Sequence, residues 1–321
     1  MEASIESYGA YVPRLRIEAS EFEEAWGSFD ARGVEEKRVP EADEDAVTMA
    51  VEAVEDALGR SSYGREDVVT LVLGTTTPPL EEGEVGAQVA DMVGFEADTE
   101  VAVHSQSTRA GVRSLATVAS TTQGAAVAVA ADCPLGKPDD DIDHAAGAGA
   151  VALVVGDGGV GEVEMEEKAS HTQEFPGTRF RERGEKNVDA YDATAYERDA
   201  YTTVVSEAFE GIDATDPVLA PTAPDADLPY RAGKKVGTDV YEAAASLGDT
   251  GAASALFGLL EAWRNDEDDV TVVGYGDGAS ADAVRLVGSL SGDRERERTK
   301  TVTYTEYLRR RGHVVTEGGD A

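Results

Sequence analysis

The stretch VAVHSQSTRAGVRSLATVAS, residues 101–120, decides the fold class of this chain. Its apolar start predicts a β-strand, its small polar middle predicts a turn, and the apolar spacing over 108–119 predicts a helix. α/β enzymes often carry a nucleophile at such a junction, because the helix N-terminus stabilises a developing negative charge there. The junction offers Ser105, Ser107 and Thr108. It is therefore a working active site, a hydroxyl version of one, or the remains of one.

Apolar segments on both sides of this junction predict an α/β fold with a mixed or parallel sheet. An amphipathic helix is predicted over 43–61, with acidic residues in its first turn. Three short apolar runs have the composition of strands buried on both faces: VVTLVLGTT (68–76), AAVAVAAD (125–132) and GAVALVVGD (149–157). The helix over 108–119 lies between two of them, which is the alternation that an α/β fold requires.

The second half of the chain repeats patterns of the first half in the same order. The paired stretches are 70–78 with 216–224, 107–119 with 249–262, and 147–157 with 274–289. Ordered self-similarity of this kind indicates an internal duplication. We therefore predict two α/β halves, residues 1–165 with the helix 108–119 at the nucleophile position, and residues 166–321.

The charge balance is strongly acidic, with 64 Asp and Glu against 28 Lys and Arg and a formal net charge of −36. Nucleic acid is excluded as a partner, because binding phosphates requires a basic face. The composition predicts adaptation to high salt, which screens the self-repulsion of the surface, and instability at low salt. No apolar run approaches the roughly 20 residues that span a bilayer, and no leader is visible, so we expect a cytoplasmic protein without a membrane segment.

Metal and disulfide chemistry are also disfavoured. The single cysteine, Cys133, excludes an internal disulfide and a thiolate zinc cluster, and we predict that it is a buried structural thiol. The histidines show no metal-ligand spacing: His104, His144, His171 and His313. We expect no metal site.

Two segments stand out as candidate contact surfaces. The polar stretch 171–201 between the halves has the length of a lid or a partner contact. The stretch 294–314 is basic in an acidic chain, which is typical either of a solvated helix or of a docking strip for an acidic partner.

A series of motifs carries a resemblance to a known family. In chain order they are YGAYVPRLRI (8–17), GVEEKRVPEADEDAVTMAVEAVEDAL (33–58), AADCPLGKPDD (130–140), HAAGAGAVALVVGD (144–157), LPYRAGKKVG (228–237), GDTGAAS (248–254), VVGYGDGASADAVRLV (272–287) and YTEYLRRRG (304–312). With them the chain resembles the thiolase superfamily and, within it, archaeal-type hydroxymethylglutaryl-CoA synthase. The resemblance implies the thiolase-like fold, two duplicated α/β halves in an αβαβα layered arrangement.

The resemblance also implies where catalytic groups would lie. Members of that family condense acetyl-CoA with acetoacetyl-CoA by means of a nucleophilic cysteine, an acid/base glutamate, a histidine and an asparagine. Matched motif by motif, these positions hold Thr108, Thr76, Thr222 and Asp249, in that order. A thiolate is a good nucleophile, whereas a hydroxyl needs an adjacent base. We therefore predict that none of the four works in the family mechanism.

The implied coenzyme A site departs from the pattern as well. A lysine that approaches the CoA phosphates is replaced by Asp227, while Lys234 and Lys235 remain candidate cofactor-binding residues. Cys133 does not replace the lost nucleophile, because it lies in the segment after the following strand. No cofactor is expected, and a CoA thioester stays a candidate ligand.

A hydroxyl mechanism is the alternative for the junction. Thr108 would need a base, and of the matched positions only Asp249 could accept a proton, weakly at an ordinary pKa. His104 precedes Thr108 by four residues, roughly 13 Å along a strand, and is expected to be a strand residue with a satisfied imidazole.

Two functions from different classes follow from these observations. The first is a hydroxymethylglutaryl-CoA synthase-like protein that has lost condensation and acts as a non-catalytic subunit or scaffold. By resemblance its partners would be a second copy or a thiolase-fold paralogue, a thiolase, and a separate zinc-ribbon/OB-fold acyl-CoA-binding protein. The second is an active acyl-CoA acyltransferase or hydrolase that uses Thr108. A ligand-binding regulator that keeps the acyl cavity without turnover is a third interpretation.

Overall fold

The structure, a computed structural model, describes residues 3–120, 124–157, 162–175, 177–190, 194–278, 280–292 and 299–314. The strands are β1 (Ala3–Tyr11), β2 (Leu15–Glu18), β3 (Glu36–Val39), β4 (Val68–Gly74), β5 (Glu100–His104), β6 (Ala125–Asp132), β7 (Gly149–Asp157), β8 (Val163–Thr172), β9 (Arg179–Phe180), β10 (Asp189–Ala190), β11 (Val218–Pro221), β12 (Asp269–Gly276), β13 (Ser280–Val287) and β14 (Lys300–Thr301). The α-helices are α1 (Ala19–Trp26), α2 (Ala46–Gly59), α3 (Val85–Val93), α4 (Ala110–Val118), α5 (Asp141–Ala145), α6 (Thr194–Glu210), α7 (Leu228–Val236), α8 (Ala244–Leu247), α9 (Ser254–Arg264) and α10 (Tyr304–Arg310).

The two halves of the chain build sheets with the same strand order. In the first half the order is β1-β7-β6-β4-β5, with two antiparallel pairings followed by two parallel ones. In the second half β8-β13-β12-β11 follow the same sequence of antiparallel, antiparallel and parallel pairings. Val240 extends the second-half sheet by one further parallel bridge, to Leu219 of β11. The predicted duplication is therefore present in the topology.

The helices and sheets stack in five alternating layers. Helices α4 and α9 share one core cluster that contacts both sheets, α2 and α3 cover the outer face of the first sheet, and α6 and α7 cover the second. Alternation along β6 explains this arrangement: Ala128 faces the central helices while Val127 and Val129 face α2. The central approach is so close that a Cβ on Gly111 would lie 2.0 Å from the Ala252 carbonyl oxygen. The predicted αβαβα arrangement is confirmed.

The predicted boundary at 165/166 lies inside β8. Val163 and Glu164 pair with β1, whereas the strand from Glu164 onward pairs with β13. The short β1–β8 pairing joins the two halves into one nine-stranded sheet.

Among the residues that the structure describes, no helix is both long enough and apolar enough to span a bilayer.

The basic stretch 294–314, described from residue 299 on, packs against the body of the protein. Strand β14 joins β2 and β3 in a small sheet, and Tyr304 and Tyr307 of α10 are buried against it. Arg310 forms an ion pair with Glu41, and Arg311 donates to the carbonyl oxygen of Pro134. Two of its cations are therefore engaged within the chain.

A buried lysine lies where α10 meets this small sheet. The Lys37 ammonium donates to the Asp143 carbonyl oxygen and to the Tyr307 hydroxyl, and it lies 4.8 Å from the centre of the Phe22 ring. Burial lowers the pKa of Lys37 to about 7, although the Asp143 charge opposes this shift. The amine therefore titrates near neutral pH in the folded protein.

We expect this titration to appear in the pH dependence of stability. Between the folded pKa of about 7 and the ordinary value of 10.5, the unfolded chain binds one more proton than the folded chain, so stability rises with pH. Lys37→Met removes the effect. From about pH 7 to about pH 9, the unfolding free energy of the wild type should rise relative to this variant by about 2 kcal/mol. Urea unfolding at molar salt measures it. The exposed-lysine control, Lys235→Met, should show no such divergence, and an equal slope in all three proteins would contradict the prediction.

Candidate active site

The opening junction forms a turn at the end of β5. Gln106 adopts a left-handed backbone conformation with a φ of 70°, and α4 begins at Ala110. Ser105 is exposed, and the buried Ser107 hydroxyl faces Gly276. Thr108 is half-buried, and its hydroxyl donates to the Tyr275 carbonyl oxygen at 2.6 Å. The hydroxyl hydrogen bonds to a backbone acceptor, which does not activate it as a base would.

Thr222 contacts the same residue of β12 from the other half of the chain. Its hydroxyl oxygen accepts from the Tyr275 backbone N–H at 3.0 Å, and its carbonyl oxygen accepts from the buried Tyr201 hydroxyl at 2.6 Å. The structure thus brings Thr108 and Thr222 to the two backbone polar groups of Tyr275. Both threonine side chains therefore form hydrogen bonds with the backbone of β12.

Thr76 is bound to a buried carboxylate that the sequence analysis missed. Asp132 closes β6 and accepts six hydrogen bonds, from Thr75, Thr76, Thr77 and the Ala252 backbone N–H. Burial raises the pKa of Asp132, and these donors oppose the shift because they favour the ionised form. An acidic residue at the end of the apolar run 125–132 was the available sequence signal.

Asp249 is paired with an arginine from a distant segment. The Arg179 guanidinium contacts the Asp249 carboxylate, and their side chains are only 17% and 2% exposed. Burial lowers the pKa of Arg179, but Asp249 together with Asp132 and Asp277 raises it above its ordinary value. The second Asp249 oxygen accepts from the Gly251 backbone N–H at 2.8 Å. Both oxygens of this carboxylate are therefore engaged.

The segment that carries Arg179 lies across the candidate site. The Asp277 carboxylate accepts from the backbone N–H groups of Thr178 and Arg179. Two residues further on, Arg181 donates to the Thr76 carbonyl oxygen at 2.8 Å. Residues 178–181 of the stretch 171–201 thus lie beside the candidate site, while residues 176 and 191–193 lie outside the described part of the chain, and a lid or partner contact stays a prediction. No local pattern in the sequence predicts that Arg179 pairs with Asp249.

Two carboxylates, those of Asp225 and Asp227, lie at the position matched to a CoA-binding lysine. Asp227 precedes α7, and the adjacent Asp225 carboxylate accepts from the backbone N–H groups of Asp227 and Leu228. Two carboxylates at one helix start do not fit a phosphate, because like charges repel. Lys234 and Lys235 lie at the other end of α7, about 10 Å along its axis.

Lys234 and Lys235 contribute to a basic cavity away from the four matched positions. The cavity has a volume of about 480 Å³, and Arg198 and Arg231 also line it. Its role in binding a cofactor stays a prediction.

His104 and Cys133 lie near the junction and at the end of β6, respectively. A ring nitrogen of His104 lies 2.9 Å from the Thr117 hydroxyl of α4, and burial lowers the pKa of this histidine. Cys133 is half-buried and lines a cavity of about 280 Å³, so it is less enclosed than predicted. Within the described residues, no cluster of three or more His, Cys, Asp or Glu side chains could hold a metal ion.

Comparisons with known proteins give relatives over nearly the whole chain. No family model matches the chain. It is 29% identical to the hydroxymethylglutaryl-CoA synthase of Methanopyrus kandleri over 97% of this chain and 94% of that protein. It is also 29% identical to the hydroxymethylglutaryl-CoA synthase of Archaeoglobus fulgidus, over 97% of this chain and 98% of that protein.

Comparison with solved structures identifies the fold of the chain. The chain matches MvaS in complex with 3-hydroxy-3-methylglutaryl coenzyme A with a TM-score of 0.83 and 17% identity, covering 96% of this chain and 91% of that one. It matches the 3-oxoacyl-(acyl carrier protein) synthase III FabH from Pseudomonas aeruginosa PAO1 with a TM-score of 0.80 and 18% identity, over 91% of this chain and 100% of that one. The resemblance that the motifs predict is confirmed: the chain is similar to archaeal hydroxymethylglutaryl-CoA synthases along nearly all of its sequence, and its fold is the thiolase fold of that group.

Proposed function

We propose that this chain is a hydroxymethylglutaryl-CoA synthase-like protein that does not condense acyl-CoA and instead serves as a non-catalytic subunit. Its assembly would contain a second copy or a thiolase-fold paralogue, together with a thiolase and a zinc-ribbon/OB-fold acyl-CoA-binding protein. These partners come from the family resemblance, and a CoA thioester remains a candidate ligand of the assembly. The catalytic half of the proposal is supported by the site itself.

The ion pair between Arg179 and Asp249 is the observation that carries the proposal. A condensing site needs hydrogen-bond donors beside the thioester carbonyl, so that they can stabilise the charge that develops on its oxygen. At this position the chain holds a carboxylate, which accepts hydrogen bonds and repels such a charge. The guanidinium that neutralises it belongs to the segment lying across the site.

An active hydroxyl enzyme is less well supported by the same geometry. Thr108 donates to a backbone carbonyl oxygen, which cannot take its proton. Asp249 is the only acidic group among the four positions matched to catalytic residues, and its two oxygens are engaged by the Arg179 guanidinium and the Gly251 backbone N–H. Among the residues that the structure describes, the acyltransferase or hydrolase alternative that uses Thr108 therefore lacks a base bonded to its nucleophile.

An exposed sheet edge supports the subunit half of the proposal. Strand β5 pairs only with β4 within the described sheet, so one row of its backbone groups lies open to pairing with another chain. Val103 of β5 is 38% exposed and Met92 of α3 is 55% exposed. An apolar edge of this kind fits a second thiolase-fold subunit, as expected by resemblance.

Acyl transfer is tested directly on the wild-type chain. Incubation with radiolabelled acetyl-CoA at molar salt, followed by denaturation and peptide mapping, should leave no label on Thr108. Acetoacetyl-CoA added with acetyl-CoA should give no condensation product. The Archaeoglobus fulgidus relative is the positive control under its own assay conditions. A stable acetyl adduct on Thr108 would overturn the non-catalytic proposal.

The ion pair is tested by a double-mutant cycle. Arg179→Met leaves the Asp249 carboxylate buried without its cation and should cost about 3–5 kcal/mol of unfolding free energy. Adding Asp249→Asn should recover most of this loss, because the buried charge is then gone. Urea unfolding at molar salt measures both. Arg183→Met is the matched control, since the Arg183–Glu81 pair is 85% and 55% exposed, and it should cost about 1 kcal/mol at most. Purely additive losses in the double variant would refute the coupling.

Assembly is tested at the β5 edge. The wild type should run as a dimer or larger species in light-scattering chromatography at molar salt, and Val103→Lys should dissociate it by placing a charge in the apolar contact. Tyr230→Lys, an exposed apolar position on α7, should leave the mass unchanged.

A tagged chain purified from its native cells should retain a thiolase and a zinc-ribbon protein, identified by mass spectrometry. A monomeric wild type, or a homodimer that retains neither protein, would contradict the subunit proposal.

A further inference from the structure

A second cavity, beside the candidate active site, collects positive charge. It has a volume of about 280 Å³ and lies where three separate parts of the chain meet. Arg181 and Lys186 come from the segment that lies across the site, and Arg310 and Arg311 come from α10 and the residue after it. In a chain with a formal net charge of −36, four cations around one small space form an exceptional local environment.

The carboxylates of this cavity are already engaged by other groups. Glu41 is paired with Arg310 and, on its other oxygen, with Arg14 at 2.6 Å. Glu44 accepts from the Tyr11 hydroxyl and from the Glu41 backbone N–H. Neither carboxylate is paired with the other cations that line the space.

Two of those remaining cations donate to uncharged acceptors. Arg311 donates to the carbonyl oxygens of Cys133 and Pro134, at 3.4 Å and 2.5 Å. Arg181 donates to the Thr76 carbonyl oxygen. Carbonyl oxygens satisfy N–H groups without cancelling their charge, so four cations face the two carboxylates of Glu41 and Glu44 around the cavity.

Neutral polar groups and the apolar side chains of Pro40, Ala42 and Leu135 complete the lining. Thr77 and Cys133 follow β4 and β6, and the Cys133 backbone N–H donates to the Thr77 hydroxyl at 3.0 Å. Burial raises the pKa of the Cys133 thiol, so the thiol is uncharged at neutral pH and does not repel an anion.

We propose that this cavity binds a small oxyanion of the phosphate or carboxylate class between Arg181, Lys186 and Arg311. Its volume lies below the roughly 300–1,000 Å³ of pockets for drug-sized ligands, which restricts the occupant to a small ion or a short dicarboxylate. A bound anion would join the segment across the site to α10, because it contacts cations from both. The proposal does not depend on whether the candidate active site is catalytic.

Calorimetry with inorganic phosphate, pyrophosphate and succinate at molar potassium chloride tests binding and separates the two sources of oxyanion. At least one of the three should bind, and Lys186→Gln should weaken it by about fivefold or more, because a charge-assisted contact is lost. Lys300→Gln, an exposed lysine on β14 that does not line the cavity, should leave the affinity unchanged.

The single cysteine locates the bound anion. Saturating ligand should slow the alkylation of Cys133 by neutral iodoacetamide in the wild type, and the ligand concentration needed should rise in Lys186→Gln by the same factor as the calorimetric constant. Absence of heat with all three anions would overturn the proposal. An equal loss of affinity in Lys300→Gln would also overturn it, because that result describes general screening rather than a site.

Discussion

A buried carboxylate must be matched by donors or by a cation, and this requirement organises the centre of the protein. Asp249 lies where the related synthases are expected to present an amide, and it is almost fully buried. Removing a carboxylate from water costs several kcal/mol unless a partner compensates. Arg179 supplies that compensation. The Asp277 carboxylate accepts hydrogen bonds from the backbone N–H groups of Thr178 and Arg179 and so positions this arginine. The buried Asp249 carboxylate and the segment that lies across it are therefore parts of one electrostatic arrangement.

The fold was predictable because its signals are local and repeated. Along β6 the alternation of residues that face the central and outer layers follows directly from the two-residue period of a strand. The repeat of polar junction, small residues and apolar helix places α4 and α9 at equivalent points of the two halves. The close contact between Gly111 and Ala252 is a consequence of that repeat. The position of the halves' boundary is harder to predict, because β8 continues through it without a break in pattern.

The site was predictable in position but not in its connections. Thr108 and Thr222 could be located from their neighbours in sequence, whereas their shared contact with Tyr275 depends on how the two halves pack. The pairing of Arg179 with Asp249 links residues far apart in the chain, and nothing near either residue distinguishes it from a solvated charge. Periodicity reports which face of an element is buried, and it carries no information about which distant charge a side chain meets.

The threonines at three of the matched positions form hydrogen bonds to the protein itself. A threonine hydroxyl can donate to a backbone carbonyl oxygen or accept from a backbone N–H, as Thr108 and Thr222 do at Tyr275. Thr76 similarly helps to satisfy the buried Asp132. In the proposed non-catalytic subunit, the side chains at these positions therefore serve the packing of the two halves instead of a substrate.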